Sequence, residues 1–305
     1  MSSIDSVEVA SPGGLRAAFA PGANMVLHSL RLGDRELLAT LGGLADYAEN
    51  GSTMGVPFLH PWANRLAGDS YTVDETEVVL DPASGLFNRD PGGRPIHGAL
   101  PGLSSWRVLD VSTYGEASSL IAGLRWDARH PAFELFPFPH RLGYKARVTN
   151  ATVEIAVAME PTGDAPVPVA FGFHPYLRIP GGTRAGARMT LPVGRALIHD
   201  EAMIPTGETE PCEPGLRQLG ETAWDDGFSD LAEPPRFLLA DDESEVSVTF
   251  LRGYPFAQVF APEGSDFVCF EPMTAPANAL GAGGPDLPLV QPGDRYEAAF
   301  AIEVG

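Results

Sequence analysis

The sequence predicts an all-β protein, built as a large antiparallel sandwich or barrel. With 34 Gly and 29 Pro in 305 residues, about one residue in five is a type that interrupts helices. The longest windows free of both, 144–160 and 236–252, show an apolar period of two instead of a helical period. Turn-forming clusters separate the apolar segments, and no strand–helix–strand rhythm is present.

Each strand is predicted from its own pattern. Alternation is clearest in ATVEIAVAME (151–160), SEVSVTF (244–250) and YEAAFAIEV (296–304), where apolar side chains fall at every second residue and predict one buried face. Shorter apolar segments bounded by Gly and Pro predict further strands: YTVDETEVVL (71–80), WRVLDV (106–111), FGFHPYLRI (171–179) and FVCFEP (267–272). No linker, repeat or charge block divides the chain, so we expect a single domain over residues 1–305.

Composition restricts the partners. The net charge of −20 disfavours nucleic acid and anionic membranes, which bind through Lys and Arg. No apolar run of 18 residues and no signal-peptide pattern is present, and two cysteines fit a reducing compartment. We therefore expect a cytoplasmic protein, monomeric or homodimeric, whose partner is a neutral, polar small molecule.

Several cofactor and nucleophile motifs are missing from the sequence. It contains no phosphate-binding G-x-x-x-x-G-K-S/T, no dinucleotide fingerprint, no G-x-S-x-G and no H-E-x-x-H. Cys212 and Cys269 have no metal-ligand spacing. We therefore expect no cofactor and no metal.

His174 stands in an apolar segment, AFGFHPYL. A histidine is more often structural, but a buried imidazole needs partners for both ring nitrogens, and apolar neighbours shift its pKa. Pro175 restricts His174 to an extended backbone, which fixes the direction of its side chain. These features suit an acid–base role.

Glu271 ends the apolar run FVCFEP. As the end of a strand it is either solvent-exposed or turned inward, and inward burial would raise its pKa towards that of a general base. A histidine and a glutamate on different strands would form an acid–base pair without metal or nucleophile.

Other segments bring polar side chains next to aromatic and apolar ones. They are HPWANRLAG with Asn64 and Arg65, RPIHGAL with His97, WDDGFSDL with Asp225 and Asp226, and YPFAQVFAP with Gln258. Each alone fits a turn or a satisfied polar group, but together they supply the amide, guanidinium, imidazole and carboxylate groups that sugar hydroxyls require.

These segments, in this order, resemble the aldose 1-epimerase (galactose mutarotase-like) family in its bacterial branch. The similarity spans roughly residues 57 to 304 and rests on eight motifs: ANRLAG, PIHG, TGDAPVPVAFGFHPYLRI, MIPTGE, WDDGF, FAQVFAP, FVCFEPMTAPANAL and LVQPGDRYEAAFAIEV.

The resemblance implies a β-supersandwich with a shallow sugar cleft and no cofactor. His174 would be the general acid that protonates the ring oxygen, and Glu271 the general base that takes the C1 hydroxyl proton. Substrate binding would fall to the remaining candidates, with Asp225 aligning better than Asp226: Asn64, Arg65, His97, Tyr176, Asp225 and Gln258.

The chain departs from the better-known galactose mutarotases near the cleft. Phe173 stands where the family has asparagine before the histidine, GAL replaces Gly-Gly after His97, and Met273 replaces a glutamine. These changes leave the preferred sugar open.

Two alternatives remain at this point. A hexose-6-phosphate 1-epimerase would keep the same acid–base pair and use Arg65, Arg89 or Arg94 for phosphate. A non-catalytic sugar-binding or regulatory protein could also use this fold, because fold alone does not fix function.

Overall fold

Antiparallel sheets organise the chain. The structure is a computed structural model that describes residues 4–305, and these residues form 27 β-strands and two short α-helices. In chain order the elements are β1 (Val7–Ala10), β2 (Leu15–Ala20), β3 (Val26–Leu32), β4 (Arg35–Glu36), α1 (Gly43–Asn50), β5 (Phe58–Leu59), β6 (Ser70–Val73), β7 (Thr76–Val79), β8 (Phe87–Arg89), β9 (Pro95–Ala99), β10 (Arg107–Tyr114), β11 (Ala117–Trp126), β12 (His140–Val148), β13 (Thr152–Pro161), β14 (Val167–Pro168), β15 (Gly172–Phe173), β16 (Tyr176–Arg178), β17 (Arg188–Leu191), β18 (Val193–His199), β19 (Pro205–Pro211), β20 (Gly215–Gln218), β21 (Trp224–Leu231), β22 (Arg236–Ala240), β23 (Glu245–Arg252), β24 (Phe256–Ala261), β25 (Phe267–Met273), α2 (Ala279–Ala282), β26 (Leu289–Val290) and β27 (Tyr296–Val304).

Two large sheets dominate the architecture. One has nine strands in the order β10-β11-β12-β13-β27-β23-β22-β17-β20, and the other has eight, in the order β19-β18-β21-β24-β25-β15-β5 with β16 also paired to β25. A four-stranded sheet, β1 to β4, and three strand pairs, β6-β7, β8-β9 and β14-β26, complete the fold. The prediction of an all-β, antiparallel fold is confirmed.

The core lies between the two large sheets. In β13 the predicted apolar positions, from Val153 to Met159, are all buried, and they alternate with half-buried residues. Aromatic rings from the two sheets meet in the core. The ring centroids of Phe300 in β27 and Phe173 in β15 are 4.9 Å apart, and those of Phe237 in β22 and Phe270 in β25 are 5.4 Å apart. The eight-stranded sheet is therefore anchored by its inner face, which leaves its other face free to carry a site.

Two predicted strands and one helix differ from expectation. Residues 71–80 form the hairpin β6–β7, because Asp74 has a positive φ of 50° and reverses the chain. Residues 171–179 are two short strands, β15 and β16, interrupted at His174 and Pro175. Helix α1 was not predicted, since its eight residues are too few to show a clear helical period. Neither α-helix within residues 4–305 has the length and apolar character that a membrane crossing needs.

Two core histidines share a hydrogen bond that requires the His140 ring to be neutral. The Nε2 atoms of His60 and His140 are 3.1 Å apart, and His140 Nδ1 lies 2.7 Å from the carbonyl oxygen of Phe138. Because a carbonyl only accepts, His140 donates from Nδ1 and accepts at Nε2. Burial lowers the pKa of His140, the hydrogen bond to Phe138 opposes this and the neighbouring His130 adds to it, so that the pKa is about 4.

We predict that the protein loses stability as the pH falls from 7 to 5. The folded pKa of His140 lies below its unfolded value, so unfolding takes up a proton in this range and becomes more favourable. His140 alone should account for about 2 kcal/mol of the loss. Urea unfolding at both pH values measures it, and His140→Gln should reduce the difference by about that amount. An unchanged difference in the variant would contradict the assignment.

Candidate active site

The outer face of the eight-stranded sheet carries a row of polar side chains. Strand register places Gly227 of β21 opposite Gln258 of β24, and Gln258 opposite Glu271 of β25. Because side chains alternate between faces, all three lie on one face, while Val259 and Phe270 point into the core. The next row on the same face consists of Asp225, Phe260, Cys269 and Tyr176.

His174 is held at the interruption between β15 and β16. Its backbone N–H donates to the carbonyl oxygen of Pro57 at 3.2 Å. Its ring stacks on Tyr176, with centroids 4.5 Å apart and planes 5° from parallel, and the ring of Phe260 meets it edge-on at 5.5 Å. The imidazole is therefore fixed by aromatic contacts as well as by the backbone that Pro175 imposes.

The structure brings His174 and Glu271 together. His174 Nε2 lies 3.2 Å from Glu271 Oε1, and the two residues are only 5% and 1% exposed. Their other polar atoms, His174 Nδ1 and Glu271 Oε2, are buried and have no hydrogen-bond partner among the described residues. Glu271 is buried under the residues that cover this outer face, so the solvent-exposed alternative for this residue is wrong.

Burial opposes charge on both members of the pair. It lowers the pKa of His174 well below the usual value, and the nearby His97 lowers it further. It raises the pKa of Glu271 well above the usual value; the charge of Asp225 adds to this rise and that of Arg65 opposes it. Burial therefore favours the states of the pair without net charge, in which the imidazole and the carboxyl group share one titratable proton in addition to the permanent ring N–H.

Arg65 is the centre of a second polar group beside the pair. Its Nε donates to Asp90 at 2.9 Å, its Nη1 to the side-chain oxygen of Asn64 at 3.1 Å, and its Nη2 lies 3.4 Å from Asp225. Gln258 donates to the other oxygen of Asp225 at 2.7 Å. Two carboxylates thus neutralise the guanidinium and hold it in place.

His97 approaches the pair from a separate loop. Its backbone has a positive φ of 62° and its N–H donates to the carbonyl oxygen of Asn64 at 3.0 Å. The following Gly98 also has a positive φ, and a side chain there would strike the carbonyl of His60. The His97 ring is 5.6 Å from that of His174, and its buried Nδ1 has no partner among residues 4–305. Burial lowers the pKa of His97 to about 3, so its ring is neutral near pH 7.

All eight predicted site residues lie in one region, which is named the cleft below, but they have different neighbours; they are Asn64, Arg65, His97, His174, Tyr176, Asp225, Gln258 and Glu271. The Tyr176 hydroxyl is 2.5 Å from Thr53 Oγ1, and its ring supports His174. Asn64 contacts Arg65. The choice between the two aspartates can also be made on geometry: Asp225 shares the face of Gln258, whereas Asp226 lies opposite Val259 and points the other way.

His199 was not among the predicted site residues. It ends β18 beside β21, and a Cβ placed on Gly227 would lie 3.2 Å from both His199 Cε1 and Gln258 Oε1. Burial lowers its pKa, against the charges of Asp225 and Asp226. In the sequence, His199 is visible only as a polar residue at the end of the apolar segment LIH. Its position beside the cleft follows from the pairing of β18 with β21. Within residues 4–305, no three His, Cys, Asp or Glu side chains are grouped as a metal site would need.

A sequence model of one protein family, described as aldose 1-epimerase, matches residues 6–303. The chain belongs to this family. The resemblance found in the sequence motifs is thus confirmed, and membership supports a mutarotase-like epimerase that acts on carbohydrates. A comparison with curated proteins gave no match.

Solved structures share the fold at low sequence identity. A galactose mutarotase-like protein from Clostridium acetobutylicum superposes with a TM-score of 0.84 at 15% identity, covering 98% of this chain and 95% of that one. The Slr1438 protein from Synechocystis sp. PCC 6803 superposes with a TM-score of 0.80 at 20% sequence identity, covering 100% of this chain and 96% of that one. Galactose 1-epimerase from Lactobacillus acidophilus NCFM superposes with a TM-score of 0.77 at 13% sequence identity, covering 98% of this chain and 94% of that one. The galactose mutarotase-like supersandwich predicted for this chain is therefore confirmed.

We predict that Asp225→Asn lowers the pKa of Glu271. The substitution removes a negative charge that disfavours the Glu271 carboxylate and leaves Arg65, which favours it. Carboxyl ¹³C NMR over a pH titration measures the shift, with the Glu271 signal assigned by its loss in Glu271→Gln. Asp226→Asn is the matched control, because Asp226 points to the opposite face, and it should leave the titration unchanged. An equal shift in both variants would contradict the prediction.

Proposed function

We propose that this protein is an aldose 1-epimerase that interconverts the α and β anomers of a free hexose. The observation that carries the proposal is the buried His174–Glu271 pair, with its two groups 3.2 Å apart and an unpartnered polar atom on each. A pair that keeps one proton while water is largely excluded suits a reaction whose net change is a proton moved between two oxygens of the substrate.

In the proposed reaction the reactive form of the pair has its titratable proton on His174, which donates it to the ring oxygen, while the Glu271 carboxylate takes the proton of the C1 hydroxyl. The C1–ring oxygen bond breaks, and the sugar opens to the aldehyde. After rotation about the C1–C2 bond, Glu271 returns a proton to the C1 oxygen as the ring oxygen attacks the other face and gives its proton to His174. The pair ends with the one proton that it had at the start.

The surrounding residues are proposed to position the sugar. His97, neutral and with a free Nδ1, would bind near the ring oxygen. Arg65, Asp225 and Gln258 would bind hydroxyls as a pre-assembled set, because they already hold one another. Asn64 would fix Arg65, and Tyr176 would support the His174 ring, so these two would act through their neighbours.

The charges near the cleft favour a free sugar over a phosphorylated one. Arg65 is neutralised by Asp90 and Asp225, and Arg89 is paired with Asp69 at 2.8 Å. Phosphate recognition by Arg65 or Arg89 would need that guanidinium group to exchange a carboxylate for the phosphate. Of the three candidate arginines, only Arg94 has no carboxylate within 4.0 Å among the described residues.

Glu271→Gln should reduce the protein-dependent exchange rate by about 100-fold or more, because the carboxylate would no longer take the C1 proton. Exchange NMR on the anomers of glucose, galactose and glucose 6-phosphate measures the rate, after subtraction of the spontaneous rate in buffer. Asp226→Asn serves as the control and should keep the full rate.

The outcomes separate the alternatives. Faster exchange for a free hexose than for glucose 6-phosphate would support the proposal, and the reverse order would favour the phosphorylated substrate. Folded protein that binds a hexose without accelerating its exchange would instead be a sugar-binding module, and the enzymatic proposal would then be abandoned.

Activity should persist well below pH 6.5. The acid limb of kcat/KM reports a second proton on the pair, and burial lowers the pKa of His174, the group that would receive it. The apparent pKa of the acid limb therefore lies below the usual pKa of histidine. Background-corrected exchange between pH 7 and 5.5, with folding checked by circular dichroism, tests this. A fall that follows an apparent pKa near 6.5 would show that His174 is not buried as described.

A further inference from the structure

The outer face of the nine-stranded sheet carries a groove of about 870 Å³. This volume is within the range of small-molecule sites. It lies on the solvent side of β10 to β13, on a different sheet from the cleft, and contains none of the cleft residues. Five arginines line it, here named the arginine groove: Arg107, Arg125, Arg129, Arg141 and Arg295.

Small residues form the floor. Gly123 of β11, Gly143 of β12 and Ala158 of β13 lie directly opposite one another across the strands. Arg107 of β10 stands opposite Gly123 and closes one end of this row. On one side of the row, Arg125 lies opposite Arg141. The groove exists because the middle row has almost no side-chain volume between longer neighbours.

The positive charge of the groove is only partly compensated. Arg129 pairs with Asp127 at 2.5 Å, and Arg141 pairs with Glu160 at 2.6 Å. Arg295 pairs with Glu297, outside the groove lining, at 2.5 Å, and with Glu160 of the lining at 3.8 Å. Among residues 4–305, Arg107 and Arg125 have no carboxylate within 4.0 Å. Five arginines thus face two lining carboxylates, those of Asp127 and Glu160.

The positive charge of the groove contrasts with the net negative charge of the whole chain. The chain has 20 basic and 40 acidic residues, yet a quarter of the basic ones lie around this one groove. Arg125 and Arg141 are directly opposite on adjacent strands, a placement in which like charges destabilise a sheet. Glu160 offsets this cost at Arg141, but among residues 4–305 no carboxylate lies within 4.0 Å of Arg125, and local departures of this kind are expected at binding sites.

We propose that the arginine groove binds a small anion that carries a diphosphate group. The two guanidinium groups without a carboxylate within 4.0 Å among residues 4–305, those of Arg107 and Arg125, project from diagonal positions whose Cα atoms are about 7–8 Å apart. Each guanidinium matches one phosphate in a bidentate contact, so two linked phosphates engage both. The exposed side chains of Leu109 and Ile121 line the same groove and offer an apolar surface to a ring attached to the diphosphate.

Isothermal titration calorimetry tests the proposal by measuring the affinities of the full chain for inorganic pyrophosphate, orthophosphate and ADP at low salt. We expect pyrophosphate to bind at least tenfold more tightly than orthophosphate, and Arg107→Thr/Arg125→Thr to weaken it at least tenfold. Threonine is chosen because it suits a strand. Arg236→Thr, on the same sheet but paired with Glu245, is the matched control and should change the affinity less than twofold.

Tighter binding of ADP than of pyrophosphate would identify an organic diphosphate that also covers Leu109 and Ile121, and equal or weaker binding would identify the free diphosphate. Either result supports the proposal. No binding, equal affinity for orthophosphate and pyrophosphate, or unchanged affinity in the double variant would overturn it. The double variant should keep any sugar-exchange activity, because neither arginine lies in the cleft, so this test is independent of the proposed function.

Discussion

The register between β24 and β25 is the constraint on which the site depends. With Gln258 opposite Glu271, the polar residues of both strands face the cleft, and Val259 and Phe270 face the core. A shift by one residue would put Glu271 between the sheets and expose Phe270, because side chains alternate along a strand. The packing of Phe270 against Phe237 therefore fixes the register and, with it, the position of the carboxylate.

The two polar groups of the cleft are built on different electrostatic principles. Two carboxylates compensate the guanidinium charge of Arg65, and its hydrogen bonds hold it in place without any ligand. The His174–Glu271 pair has no counterion of its own other than its partner, so burial favours the state with no net charge. A fixed ion-pair network thus stands beside a pair whose single proton is easily moved.

The sequence predicted much of the fold and most of the site, for identifiable reasons. Strict alternation in β13 and β27 follows from one buried face, and such a pattern can be read locally. The interruption at His174 could not be read in this way, because its apolar neighbours resemble a continuous strand. The motif resemblance favoured Asp225 over Asp226, but their opposite faces follow only from the register with β24, and His199 was found only through the pairing of β18 with β21, both of which are long-range properties.

The stacking of His174 on Tyr176 has a consequence for stereochemistry. With its ring plane held within 5° of a neighbour and its edge against Phe260, the imidazole has no room to follow a substrate that changes shape. In the proposed reaction the same nitrogen serves both anomers from one fixed direction, so the motion that inverts C1 takes place in the sugar. The rigid imidazole thus leaves the rotation to the sugar, and, as with any catalyst, the final ratio of the anomers is set by the sugar alone.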